Sequence, residues 1–406
     1  MLKLFLSDLH VGDGTASDDF SFDKDFSLLL KRIDEDDPEA ELIILGDGLE
    51  ILESELVREL GIVDFSTVCN SLDGDVIEAI YRKHKLFFSS LRTFAKKHKV
   101  IYIVGNHDYY LVPNAKVREK FIEKIDSAKF EIVPYYYDEE RGIFAQHGNQ
   151  YDVTNSFAFA GEKKLIPPIG DYITRRVMNE FEPFLRSLKL PEDVVRDYDN
   201  IRPLSHAVDW LKYITYIYKL PVDLTSAWKK SFSKAFQSEE ARSWIKIRFP
   251  HTYWMSDFFT QKSGWFDFGR KIVKFIDMLF KIEDTNYLKR RAEKMLNAQW
   301  NPQWKLSKQD VAGYSDEVPE LDYSNLKLIL FGHNHQPGFY VIPTPDGTRY
   351  YANTGTWRPL VERSKSKFGG ITFHKKIELN YVIVRDEKDG MIVETQLTSK
   401  IEISKR

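Results

Sequence analysis

Residues 326–338 read LKLILFGHNHQPG. An apolar run stops at Gly332, and His333 and His335 follow with one residue between them. If the backbone stays extended, imidazoles at i and i+2 point the same way. Neutral imidazole is also the commonest protein ligand for a transition metal. Two histidines alone do not make a site, so partners have to come from elsewhere in the chain.

Four further apolar runs end in the same fashion. LKLFLSDLH (2–10) ends in Asp8 and His10, and ELIILGDGLE (41–50) in Asp47 and Glu50. VIYIVGNHDYY (100–110) ends in Asn106, His107 and Asp108, and GIFAQHGNQYD (142–152) carries His147. The runs are nearly continuous in Leu, Ile, Val and Phe, as strands buried on both faces should be. Between the first three lie segments of helical period. One is 75–99, where Ile77, Ile80, His84, Phe87, Leu91 and Phe94 recur every three or four residues. Strand–helix alternation predicts an α/β fold with a mostly parallel sheet covered by helices. In such sheets ligands bind beyond the carboxyl ends of the strands, which is where all five polar clusters fall. We therefore expect the edge of one sheet to gather them into a metal site. Gly46, Gly105, Gly148 and Gly332 sit beside these residues, where a backbone must turn or approach a ligand closely.

The bulk numbers are those of a globular protein: 406 residues, 43% hydrophobic, 29% charged, formal net charge -3. No global field drives such a chain onto nucleic acid or an anionic membrane. Cys69 is the single cysteine, so an intramolecular disulfide and a thiolate metal site are both excluded. The N-terminus lacks the pattern of a signal peptide, and cytoplasmic residence is the expectation.

With DLH, GDGLE, GNHD, QHG and GHNH in this order, the sequence resembles the calcineurin-like metallophosphoesterase superfamily over residues 1–152 and about 322–365. The resemblance implies a β-sandwich of two mostly mixed sheets flanked by helices. It implies two divalent ions, one held by Asp8, His10, Asp47 and His335, the other by Asp47, Asn106, His147 and His333, with Asp47 bridging. Imidazole and oxygen donors without thiolate suit Mn foremost, with Fe or Zn as alternatives. Such a pair, about 3.5–4 Å apart, would turn a bridging water into the attacking hydroxide of a phosphoesterase. His107 is then the proton donor to the leaving oxygen, and Asp108 orients its ring. Protein phosphatases carry arginine and glycine after the second motif, where this chain has Glu50. GDGLE, GNHDYYL and HGNQYD look closer to the branch containing UDP-2,3-diacylglucosamine hydrolase. Asn149 and His107 depart from that branch, whose members tend to show aspartate and arginine there. The closing stretch ANTGTWRP (352–359) also resembles such enzymes, with Asn353 and Thr354 as supports of the site.

Residues 153–320 differ in composition from the catalytic parts, 1–152 and 321–406. Seven of the eight tryptophans lie there, and residues 155–314 hold 27 Lys and Arg against 19 Asp and Glu. Residues 206–220 and 268–296 have helical period. We expect a large helical insertion that caps the metals. Arg175, Arg176, Arg290 and Arg291 are its candidate contacts to a phosphorylated small-molecule or lipid-linked substrate, and its apolar helices a candidate membrane-surface contact. The basic excess also fits a nuclease or cyclic-nucleotide phosphodiesterase, but no basic tail or stacking motif accompanies it. A non-catalytic scaffold fits less well, because every ligand position holds a competent residue. After the metal motifs, 368–404 alternates around a turn at EKDG, which predicts antiparallel strands completing a second sheet.

Overall fold

The computed structural model describes residues 1–160, 164–236, 238–248, 286–301, 305–311, 318, 320–365, 369–388 and 390–401. Two sheets pack face to face. The first contains β1 (Leu2–Leu6), β2 (Glu41–Leu45), β3 (Lys99–Ile103) and β4 (Phe130–Val133), all parallel. The second contains β5 (Tyr136–Asp138) and β6 (Ile143–Ala145), followed after a long excursion by β9 (Leu328–Phe331), β10 (Gly338–Thr344) and β11 (Gly347–Asn353). Its order is β10-β11-β9-β6-β5, with β9 parallel to both neighbours. The excursion carries the short hairpin of β7 (Ala158–Ala160) and β8 (Lys164–Ile166).

The polar strand ends thus come from two sheets rather than one. β1, β2 and β3 supply three clusters and β6 and β9 the other two, all at one rim of the sandwich. The C-terminal strands also differ from expectation. β12 (Pro359–Lys365), β13 (Ile371–Glu387) and β14 (Gly390–Ile401) do form antiparallel pairs, with Glu387 opposite Gly390 at the turn. They extend the first sheet, however, because β13 pairs with β1. The apolar side chains of β13 can then face the sandwich interior through Val382 and Val384.

Each core strand is apolar on both faces because both are covered. Phe5, Ile43, Leu45, Ile101 and Ile103 face inward and meet Ile143, Leu328 and Leu330 of the other sheet. Their neighbours Leu4, Leu42, Ile44 and Val100 face the helices α1 (Asp23–Asp36), α4 (Asp75–Lys83), α5 (Lys85–Lys97) and α6 (Ala115–Ile125). The shorter helices α2 (Glu55–Leu60) and α3 (Phe65–Ser71) lie between α1 and α4 in the chain. The apolar period over 75–99 resolves into α4 and α5, which break at His84 (φ −110°, ψ 49°).

The excursion after β6 continues with α7 (Ile169–Arg176), α8 (Glu182–Ser187), α9 (Glu192–Arg196), α10 (Ala207–Ile217), α11 (Leu224–Phe236), α12 (Glu239–Arg248) and α13 (Tyr287–Leu296). Its tryptophans Trp210, Trp228 and Trp244 share a separate core with Val177, Phe181 and Leu211. Within the expected helix at 268–296, residues up to 285, including Lys271, Lys274 and Lys281, lie outside the described residues, as do Trp254, Trp265 and Trp304. α13 covers the outer face of the second sheet, where Leu288, Ala292 and Met295 meet Phe144, Ile329 and Phe331. The fourth layer of the sandwich therefore comes from inside the segment expected to be the cap. Among the described residues, no helix is long and apolar enough to cross a membrane.

Candidate metal centre

The structure brings the strand ends together. Asp8, His10 and His335 present ligand atoms within 4.8 Å of one another, and so do Asp47, His147 and His333. Asp47 Oδ2 lies 3.1 Å from His147 Nε2 and 3.9 Å from His10 Nε2, so one carboxylate faces both groups. Asn106 Oδ1 is 3.3 Å from His147 Nε2. All seven residues anticipated as ligands therefore meet at one rim.

The local backbone is not the extended one expected. Asp8, His10, Asp47, His333 and His335 all have left-handed φ, between 48° and 69°. Each such residue costs on the order of 1 kcal/mol and persists only where its surroundings enforce it. Here the coiled backbone aims amides at carboxylates: His333 N–H donates to Asp8 Oδ2 (2.9 Å) and His107 N–H to Asp47 Oδ1 (2.8 Å). It also separates the two histidines of GHNH. His333 joins Asp47 and His147, while His335 joins Asp8 and His10. Close approach explains two of the glycines, since a Cβ on Gly105 would fall on the Asp47 carboxylate and one on Gly332 on Ser7 and Asp8.

Outer partners fix which nitrogen of each ring faces inward. His147 Nδ1 donates to Leu45 O (2.7 Å), His10 Nδ1 meets Glu50 Oε2 (2.7 Å) and His333 Nε2 meets Asp152 Oδ2 (2.9 Å). Nε2 of the first two and Nδ1 of His333 are left for an ion. ANTGTWRP closes around Asp8: Ser7 bridges the Asp8 carboxylate and Thr354, Asn353 holds Gly332 O, and Thr356 Oγ1 and Trp357 N–H donate to Asp8 O.

Asp108 does not do what was expected of it. Its carboxylate accepts from Gly48 N–H, Gly105 N–H and the Tyr102 hydroxyl, tying the two ligand loops together from behind. Burial, reinforced by the Asp47 charge, pushes its pKa up to about 7. The carboxylate on His107 is Glu50, whose Oε1 lies 2.9 Å from Nδ1 while its Oε2 holds His10. Burial opposes a charged His107 ring, but Glu50 and Asp47 outweigh it and raise its pKa to about 10.

The donors fit divalent cations. Asp8 Oδ1 is buried without a hydrogen-bond partner, 3.2 Å from His335 Nε2 and 3.9 Å from His10 Nε2. Burial and the nearby Arg358 hold His10 far below its usual pKa, and burial with Arg202 holds His335 at about 4, so both rings are neutral lone-pair donors. Despite burial, Asp47 and Asp8 raise His147 to about 9. That proton supplies positive charge at a point where a cation would supply it. A further cluster, Glu50, Glu53 and His107, already faces the Arg358 guanidinium, 3.8 Å from Glu50.

A cavity of ≈ 200 Å³ opens above these residues. Asp47, Asn106, His107, His333 and His335 line its floor; Ile173, Val177, Tyr198, Arg202 and Trp228 come from the excursion after β6. None of the four arginines anticipated there lines it. Arg175 pairs with Asp171, Arg176 with Glu180, and Arg291 with Asp310 while lying over the Tyr151 ring. Sequence reasoning missed Arg202 and Asp152 and left the Glu50 contact unassigned. Only Asp152 and Glu50 stand inside the quoted motifs, so only they left a signal.

The sequence model of calcineurin-like phosphoesterases matches residues 1–247. No curated protein is detectably similar to the chain. The match stops before His333 and His335, and the fold carries β9 beside β6 and delivers both to the donors on the matched part. The chain therefore belongs to the calcineurin-like phosphoesterase family, and it is a metal-dependent hydrolase of phosphate esters.

Proposed function

We propose that the chain is a dinuclear phosphoesterase, cleaving a phosphate ester or pyrophosphate of a small or lipid-linked molecule. The observation that carries this reading is Asp47, whose carboxylate faces two ligand groups beside His107 in a roofed cavity. Asp8, His10, Asp47 and His335 would hold one ion, and Asp47, Asn106, His147 and His333 the other. Two divalent ions, Mn first among those suited to these donors, would supply Lewis acidity and lower the pKa of a coordinated water.

His107 hands its proton to the leaving oxygen. Its Nδ1 faces Glu50, so Nε2 is the donating atom, and the flanking carboxylates keep the ring charged at neutral pH. Within the family, GDGLE, GNHDYYL and HGNQYD support a place near the branch containing UDP-2,3-diacylglucosamine hydrolase. Residues 1–152 and 321–406 form the catalytic unit in this reading, and residues from 153–320 form the roof.

The test is hydrolysis of bis-p-nitrophenyl phosphate and p-nitrophenyl phosphate by Mn-loaded protein, with and without a chelator. We expect activity that the chelator abolishes. Hydrolysis that survives complete metal removal would sink the proposal.

A further inference from the structure

Glu50 carries two imidazoles, His107 on Oε1 and His10 on Oε2, and Oε1 also accepts from Glu53 N–H (3.0 Å). Its remaining charged neighbour is a cation. Arg358, the penultimate residue of ANTGTWRP, places Nη1 3.8 Å from Glu50 Oε2, and both residues are buried. Among the described residues, Glu50 pairs with no other Lys or Arg. The second terminal nitrogen of Arg358, Nη2, reaches Asp199 Oδ2 (2.7 Å) and Asp19 Oδ2 (3.1 Å). One guanidinium thus joins the loop after β1, the loop after β2 and the insertion.

Each anchor is itself held. Arg358 N–H donates to Thr356 Oγ1 (3.0 Å), and Trp357 N–H donates to Asp8 O just before it. Asp199 reaches the guanidinium because its stretch of the insertion is stitched to the first sheet. Ile201 forms a bridge with Val361, and Val361 N–H donates to Asn200 O (2.8 Å). Asp19 is gripped by Arg196 and by Asn200 Nδ2 (3.0 Å). Glu50, Asp19 and Asp199 are all carboxylates, so removing the guanidinium between them replaces attraction by repulsion. A displaced Glu50 takes the His107 ring with it.

We propose that Arg358 is a positioning residue for proton transfer: through Glu50 it sets the His107 ring against the leaving oxygen, and through Asp199 it makes that setting depend on the insertion. The inference rests on the reading of His107 as proton donor given above. No proton passes through Arg358. The proton leaves His107 Nε2 for the leaving oxygen as the bond from that oxygen to phosphorus breaks, and the neutral ring keeps its Nδ1 proton on Glu50. The inserted segment then takes part in the chemistry besides roofing the cavity.

The test varies the leaving group. p-Nitrophenolate departs unprotonated near neutral pH, whereas a phenol of pKa about 10 gains from a proton donor. Wild type, His107→Ala, Arg358→Gln, Arg358→Lys and Asp199→Asn, all Mn-loaded, are compared on p-nitrophenyl phosphate and phenyl phosphate, or on the matching diesters if wild type prefers them. His107→Ala should lose far more on the phenyl substrate. Arg358→Gln should follow it, losing about tenfold in kcat on the phenyl substrate and no more than about twofold on the p-nitrophenyl one, with KM little changed. Arg358→Lys should recover part of the loss, a point charge replacing a fork. Asp199→Asn keeps its shape at a partly exposed position and should show the same selective loss, at about threefold. Added to Arg358→Gln it should cost little more, since both act through one contact. Elemental analysis should find the wild-type metal content in every Arg358 and Asp199 variant.

Equal losses on the two leaving groups in Arg358→Gln, or metal loss in it, would overturn the inference and leave Arg358 a structural tie. Should that variant not fold, Arg358→Lys and Asp199→Asn decide by the same criterion. Equal losses in His107→Ala would instead overturn the proton-donor reading, and this inference with it.

Discussion

At the scale of single residues the centre divides labour between two carboxylates that a linear reading confuses. Asp108 is next to His107 in the chain, yet the residue on the imidazole is Glu50, delivered by a different strand. Adjacency in sequence misleads here because His107 and Asp108 point to opposite sides of their loop. We expect Glu50→Gln to lower kcat by roughly 10²–10³, within the range general acid catalysis contributes, and to weaken metal binding through His10. Asp108→Ala should act on stability, because it strands two buried amides at on the order of 1–3 kcal/mol each. Denaturant unfolding and steady-state kinetics on the two variants separate these effects. His107→Ala should slow turnover about 10²-fold or more while elemental analysis finds its metal intact; metal loss would contradict a role as proton donor. The ligand types and their order were legible because each lies within a short motif at a strand end. The left-handed backbone was not legible, since it is enforced by contacts such as His333 N–H to Asp8 Oδ2 across more than three hundred residues.

At the scale of elements, the break between α4 and α5 is held by a charge. His84 is buried between Asp18 (2.8 Å) and Asp23 (2.9 Å). Burial alone would depress its pKa, but the two carboxylates raise it to about 9. A histidine on an apolar stripe reads as a packed neutral residue, and only the loop carrying Asp18, remote in sequence, shows otherwise. Asp18 also accepts from the amides of Gly12 and Gly14, just past His10. The folded pKa exceeds the free value of about 6.5. The pairing therefore stabilises fully below about pH 6.5, and the gain fades as pH rises through about 9. Urea unfolding at pH 6, 8 and 10 should show His84→Gln destabilised by about 2 kcal/mol at pH 6, with the gap to wild type narrowing by pH 10. A gap that widened with pH would refute the assignment.

At the scale of the whole molecule, two sheets and a discontinuous chain make one rim. The alternating pattern fixed α/β and the strand ends, but both faces of β1, β2, β3, β6 and β9 are apolar. Nothing in such runs says which sheet a strand joins, so all five polar ends were expected at the edge of one sheet where two supply them, and β13 was assigned to the wrong sheet. The inserted segment stood out as a change of composition; that Arg202 would line the cavity was not legible, because its place depends on a bridge from Ile201 to Val361. An ion that binds the folded arrangement of the metal-site donors and not the unfolded chain stabilises the fold by mass action. Chelation should therefore lower Tm as well as abolish activity, with Mn²⁺ restoring both.

The sharpest test is a metal count on active protein and on Asp47→Asn, by elemental analysis with anomalous scattering to locate the ions. We expect two divalent ions per wild-type chain, one beside Asp8, His10 and His335 and one beside Asn106, His147 and His333. Asp47→Asn should lose at least one of them together with activity. A single ion in fully active wild type, or a variant that keeps both ions and full turnover, would contradict the shared-carboxylate centre.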